Sequence, residues 1–178
     1  MPRLKLVMLD ANVIIKLHEL ELWDKLVASI DIHLAQTVIG EAQFWVNSAG
    51  ERQEIDLRSD IEANRITVFE LDAVELASFL ARFDPVYKPE IDPGELESIA
   101  WMEKSQEDYL FSSADLAVYR VLGLLERGEQ GISLEEILQR IGITKRLEPR
   151  FSKAVRERFT KEGQQDKVRG RGFKAREP

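Results

Sequence analysis

Leu4-Lys5-Leu6-Val7-Met8-Leu9-Asp10 is a short apolar run that stops on an acid. A run of this length suits a buried strand, and Val13, Leu17 and Leu20 then recur at the spacing of one helix face, with a break around Glu19–Glu21. An acid at that junction lies at the strand end where open α/β sheets bind ligands, and it also has the chemistry of a helix cap. The alternation continues downstream. Strands are expected over residues 31–35, 66–69 and 109–112, and helices over 37–45, 53–64, 73–83, 94–104 and 113–126. Pro85, Pro89 and Pro93 punctuate the loop before the 94–104 helix. Strands alternating with helices predict an α/β fold, a three-layer α/β/α arrangement with a central, mainly parallel sheet and a helical extension at the C-terminal end.

At 178 residues the chain is long enough for one good core. Without cysteine it has no disulfide framework, thiolate zinc site or cysteine nucleophile. No apolar run approaches the roughly 20 residues that cross a bilayer, and the start lacks a cleavable signal, so a cytoplasmic protein with no membrane partner is expected. Charge is unevenly divided. Residues 131–178 hold 13 Lys or Arg against 7 Asp or Glu, whereas residues 1–130 hold 12 against 25. This is a basic arm on an acidic body. Residues 1–127 read as the α/β domain. Residues 128–162 read as a helical hairpin, opened by a capping box at Ser133 and Glu136. Residues 163–178 are Gly-rich and basic and are expected to be disordered.

The unusual feature is where the acids fall. Asp10 follows the first strand, with Asn12 two residues on. On the 37–45 helix Glu41 shares a stripe with Val38 and Trp45, so it must be paired, metal-bound or at a rim. Asp92-Pro93-Gly94-Glu95-Leu96-Glu97 opens another helix, with Asp92 as its cap. Glu95 aligns with Ile99 and Met102, and Glu97 with Trp101 and Lys104; the spacing favours Glu95 as the inward acid and leaves Glu97 open. Asp115 opens the 113–126 helix, and a cap from Ser113 would leave it free to face the sheet edge. Acids converging in one cleft repel unless cations neutralise them, and hard oxygen donors suit Mg²⁺ or Mn²⁺. The matching chemistry is phosphodiester hydrolysis.

Leu9-Asp10-Ala11-Asn12, Thr37-Val38-Ile39-Gly40-Glu41, the segment from Asp92 to Ala100, and Ser112-Ser113-Ala114-Asp115 together resemble, in order, the motifs of the PIN-domain family. The resemblance covers residues 4–125 and implies a metal-dependent endoribonuclease, a class that includes toxins of toxin–antitoxin pairs. It implies Asp10, Glu41, Glu95 and Asp115 as catalytic acids, the same four with Glu97 as candidate metal ligands, and Asn12 and Ser113 as supporting groups. Two departures stand out: a Glu where many members have Asp in the third motif, and Tyr119 where many carry a further acid. The implied partners are RNA, an antitoxin protein and a second copy in a homodimer.

Charge assigns RNA contact to Lys145, Arg146, Arg150, Lys153, Arg156 and Arg158, with the basic tail extending the surface. The competing reading is a PIN-like module that binds RNA or protein without cutting. A haloacid-dehalogenase-type phosphotransferase would need a second aspartate where Asn12 stands. His18 and His33 lack ligand spacing, the tryptophans read as core, and the connection after residue 142 is long for a helix-turn-helix. Mutual repulsion among the acids predicts that Asp10→Asn leaves the metal-free fold intact or stabilises it.

Overall fold

The structure, a computed structural model, describes residues 4–85 and 91–174; Pro89 and the end of the basic tail, residues 175–178, fall outside them. Strands β1 (Leu4–Leu9), β2 (Ile30–Ala35), β5 (Ile66–Phe69) and β6 (Leu110–Ser112) form one parallel sheet in the order β5-β2-β1-β6. Helices α1 (Ala11–Glu19), α2 (Trp23–Ser29), α3 (Gln36–Glu41), α4 (Leu57–Glu62), α5 (Ala73–Leu80), α6 (Pro93–Lys104) and α7 (Leu116–Leu124) connect and flank it. From β1 the chain moves one way to β2 and β5, then returns to place β6 on the other side of β1. The order therefore reverses between β1 and β6, and the crevice beyond their carboxyl ends is where such sheets bind ligands. Val7, Met8, Leu9, Ile32, Leu34 and Phe111 are sealed from solvent, as strands covered on both faces require.

The break between α1 and α2 comes where the sequence placed it, with Glu21 in the left-handed region at φ 57°. The expected 37–45 helix does not reach its end. It stops at Glu41, and Phe44–Val46 forms strand β3, paired antiparallel with β4 (Arg52–Glu54). Phe-Trp-Val is a β-forming triplet, and the Asn47–Gly50 turn closes the hairpin, with Asn47 Oδ1 accepting from the Ala49 and Glu51 amides. Trp45 is thus on a strand, and the stripe that joined it to Glu41 does not exist. Arg52–Glu54 shortens the expected 53–64 helix to α4, which Asp56 caps by accepting from the Arg58 and Ser59 amides.

The C-terminal segment differs most from expectation. After α8 (Leu134–Arg140), helix α9 runs from Lys153 to Val168 and lies along α7. The disorder expected from residue 163 is absent through residue 174. Asp166 is buried in a two-pronged contact with Arg120, at 2.8 Å to Nε and 2.6 Å to Nη2. The Asp84 amide donates to the Gly172 carbonyl, the Lys174 amide to the Arg82 carbonyl, and the Phe173 ring sits 5.3 Å from Phe83. Composition suggested no core here, and a few well-placed contacts supply the anchoring. Among the described residues no helix is long and apolar enough to cross a membrane.

Candidate functional site

Asp10 follows β1, and its backbone N–H continues the β1–β6 ladder by donating to the Ser112 carbonyl at 3.1 Å. Its carboxylate is almost wholly buried and accepts three hydrogen bonds. Oδ1 accepts from the Val13 amide at 2.6 Å, which caps α1; Oδ2 accepts from Ser113 Oγ at 2.7 Å and the Ala114 amide at 2.9 Å. The cap and the site are therefore the same residue. These three donors argue for the opposite sign to that expected for Asp10→Asn, because an asparagine amide would turn its NH₂ toward at least one of those N–H or O–H donors. The expected result is a metal-free protein less stable by about 1–3 kcal/mol, the scale of leaving a buried donor unpaired. Urea unfolding in chelator measures it, and an unchanged or raised midpoint would restore the repulsion picture.

Glu95 lies in the first turn of α6 and is as buried as Asp10. Oε2 accepts from the Asp92 amide at 3.1 Å, and Oε1 lies 2.7 Å from Ser113 Oγ. Burial, then the charge of Asp10, pushes its carboxyl up to about 9. A serine hydroxyl has one proton and two lone pairs. Ser113 Oγ accepts from the Asp115 amide at 2.9 Å and touches two carboxyl oxygens at 2.7 Å. All three contacts close only if one carboxyl is protonated. The raised Glu95 carboxyl is the candidate for that proton; donating it through Oε1 to Ser113 Oγ would leave Ser113 to donate to Asp10.

Asp115 is the N-cap of α7, accepting from the Ala117 amide at 2.9 Å. Ser113 does not cap that helix, as the sequence suggested; it links the acids instead. Burial raises the Asp115 carboxyl, the Ala117 amide opposes, and the charges of Asp10 and Asp92 add to the rise. Glu41 ends α3, exposed, and accepts from the Gly94 amide at 3.3 Å. The residue as a whole is exposed, but its carboxyl end is partly enclosed; that loss of hydration raises it, the Gly94 N–H opposes, and Asp92, Asp10 and Glu97 raise it further. Gly94 permits that approach. A Cβ there would stand 2.7 Å from Val38 Cγ2 and 2.9 Å from Glu41 Oε2.

The charge of Asp10 thus reaches Glu41, Glu95 and Asp115, and Ser113 joins Asp10 directly to Glu95. Glu97 has another task. Buried, it accepts from Thr37 Oγ1 at 2.6 Å, the Thr37 amide at 3.3 Å and the Leu71 amide at 2.8 Å, tying α3 and the β5–α5 loop to α6. Asn12 is exposed and, among the described residues, makes no hydrogen bond to these acids. Asp92, read from sequence only as a cap, stands exposed at the rim and influences both Glu41 and Asp115. Of the basic residues, Lys145, Arg146, Arg150, Lys153 and Arg158 are exposed. Arg156 is not available in the same way: it grips Glu136 through Nε at 2.8 Å and Nη2 at 2.9 Å.

Among the described residues no group of three or more Asp, Glu, His or Cys side chains is already arranged to hold an ion. No family model matches the chain, and no curated protein matches it.

Proposed function

We propose that the protein is a Mg²⁺- or Mn²⁺-dependent endoribonuclease of the PIN type, acting in the cytoplasm, with an antitoxin protein as candidate partner. The observation that carries the reading is the placement of Asp10, Ser113 and Asp115 at the carboxyl ends of β1 and β6, with Glu95 and Glu41 brought to them by α6 and α3. Burial, with the neighbouring charge of Asp10 adding to it, raises the carboxyls of Glu41, Glu95 and Asp115, and a bound cation would favour their ionised forms. The donor set is all hard oxygen, which fits Mg²⁺ or Mn²⁺ in chemistry. Asp10, Glu95, Asp115 and Glu41 would hold the ion, which when bound would activate water and offset charge developing on a phosphodiester.

The residues divide the work by environment. Asp10, fixed by its donors, is the rigid member. Glu95 keeps a proton at Oε1 and must release it before serving as an anionic ligand. Glu41, exposed and raised, is placed to hold or accept a proton at the rim. Lys145, Arg146, Arg150, Lys153 and Arg158 supply phosphate contacts whose strength falls with salt.

The test uses single-stranded RNA with and without Mn²⁺, and Glu41→Gln, which alters an exposed side chain with one long hydrogen bond. Cleavage should require the metal, and Glu41→Gln should lower kcat by about 100-fold or more, the scale of losing a charge-stabilising group, with thermal unfolding unchanged. Wild-type rates from Glu41→Gln would remove Glu41 from the mechanism. A second reading, a module that binds RNA without cutting, draws on the three donors that already hold Asp10 and on the lack of a preassembled ligand group among the described residues. RNA binding by the wild type with no metal-dependent cleavage would select it.

A further inference from the structure

Tyr119 stands one helical turn beyond Asp115 on α7 and is completely buried. Its hydroxyl accepts from the Ser113 amide at 3.0 Å and lies 2.9 Å from the Ser113 carbonyl oxygen and 3.1 Å from that of Ile132. One phenol proton is shared between the two carbonyls. Both polar groups of the Ser113 backbone are therefore tied to a single oxygen. They need such a partner, because Ser112 is the last residue of β6 to pair with β1 and Ser113 has left the ladder while still buried.

The ring is seated as deliberately as the hydroxyl. A Cβ on Gly131 would come within 3.1 Å of Tyr119 Cδ1, so any larger residue would press on the ring and push it by a few tenths of an ångström. The Ile132 amide donates to the Phe111 carbonyl at 3.0 Å, which fastens the segment alongside β6. Tyr119 is thus gripped by α7, β6 and the 131–132 segment at once.

We propose that Tyr119 is a positioning residue: its two hydrogen bonds to the Ser113 backbone aim Ser113 Oγ between Asp10 and Glu95 and so set the spacing of the acids. The inference rests on the nuclease reading above and adds to it a residue that touches no acid itself. Ser113 Oγ makes three contacts within 2.9 Å. A backbone shift of roughly 0.5 Å would carry at least one of them beyond ordinary hydrogen-bond length. A phenylalanine in place of Tyr119 keeps the packing and frees the backbone to make that shift.

A double-mutant cycle on the full-length protein separates this role from plain stability. Mn²⁺ affinity by calorimetry and kcat on RNA are measured for wild type, Tyr119→Phe, Ser113→Ala and the double variant. Tyr119→Phe should weaken Mn²⁺ binding and lower kcat by about tenfold, as losses of supporting hydrogen bonds around metal ligands do, with KM for RNA unchanged. In the Ser113→Ala background the same change should cost less than about twofold, because the atom it aims is gone. Gly131→Ala crowds the ring without removing the hydroxyl, and its loss should likewise vanish in that background. Equal losses in both backgrounds, or no loss in either, would overturn the proposal. A wild type that binds no Mn²⁺ would instead sink the nuclease reading and this inference with it; a wild type that binds Mn²⁺ without cutting RNA leaves the affinity arm to decide.

Discussion

Gly163→Ala is expected to destabilise the fold by about 3 kcal/mol or more, against the roughly 1 kcal/mol gain that Gly→Ala brings to an open helix position. Gly163 lies mid-way along α9, and a Cβ there would sit 1.8 Å from the Arg120 carbonyl oxygen of α7. The relation is reciprocal: a Cβ on Gly123 of α7 would sit 2.1 Å from the Thr160 carbonyl oxygen of α9. The obstacle in each case is backbone, which cannot swing aside like a side chain, so the two helices must separate. Separation would pull Arg120 from Asp166 and loosen α7, whose N-terminal end carries Asp115 and whose second turn carries Tyr119. Gly40 is the control. It lies in α3, is exposed, and a Cβ there would meet nothing within 4 Å, so Gly40→Ala should be neutral or stabilising. Urea unfolding of the three variants checks the contrast in sign. The double variant Gly123→Ala/Gly163→Ala should lose less than the two single losses added together, because helices already parted have room for the second methyl. A Gly163→Ala protein as stable as the wild type would mean that α9 does not pack on α7 at this distance.

What the sequence disclosed and what it hid follow from the range of the interactions involved. The four sheet strands and the helices after Asp10, Asp72 and Asp92 were legible because each is written locally, as an apolar run or a cap followed by periodic spacing. The spacing with Ile99 and Met102 favoured Glu95 over Glu97 as the inward acid, yet both are buried, Glu95 beside Ser113 and Glu97 against Thr37 and Leu71, and spacing along one helix does not tell these partners apart. Glu41 reached the cleft for a different reason from the one its spacing suggested. The stripe with Trp45 was an artefact of extending a helix into Phe44–Val46, and Glu41 is held instead by the amide of Gly94, far along the chain. The tail shows the same limit. Gly163 reads as a helix breaker in isolation and is a close-contact residue once α7 lies beside it. Composition treats the basic residues after 163 as solvated, yet Asp166, Gly172 and Phe173 anchor them through partners near residues 83 and 120. Ser113 and Tyr119 were hardest to read, because a serine placed between the carboxyls of Asp10 and Glu95 is meaningful only when those two acids converge.

Glu95→Gln tests that proton directly. The folded carboxyl is raised to about 9 from an ordinary 4.5, burial being the larger cause and Asp10 the next. Between those two values the folded protein holds a proton that the unfolded chain has released. The associated stability is fully present below the unfolded value and drains away as pH rises through the folded one. Over that window one group can contribute a slope of at most roughly 1.4 kcal/mol per pH unit, and the wild type should lose stability toward alkaline pH accordingly. Glutamine copies the protonated form at every pH: Nε2 can donate to Ser113 Oγ, and Oε1 can accept from the Asp92 amide. Glu95→Gln should therefore flatten this part of the profile and be more stable than the wild type at pH 8. It should also lose Mn²⁺ binding, since the amide cannot become the anion that the metal requires. Wild-type binding should release protons below pH 9, visible as a calorimetric enthalpy that changes with the ionisation heat of the buffer. Parallel pH profiles for the two proteins would mean that Glu95 is already ionised in the fold. Ser113 would then have a single proton for two carboxylates, and one of its two 2.7 Å contacts would be repulsive. The relay drawn here from Glu95 through Ser113 to Asp10 would have to be abandoned.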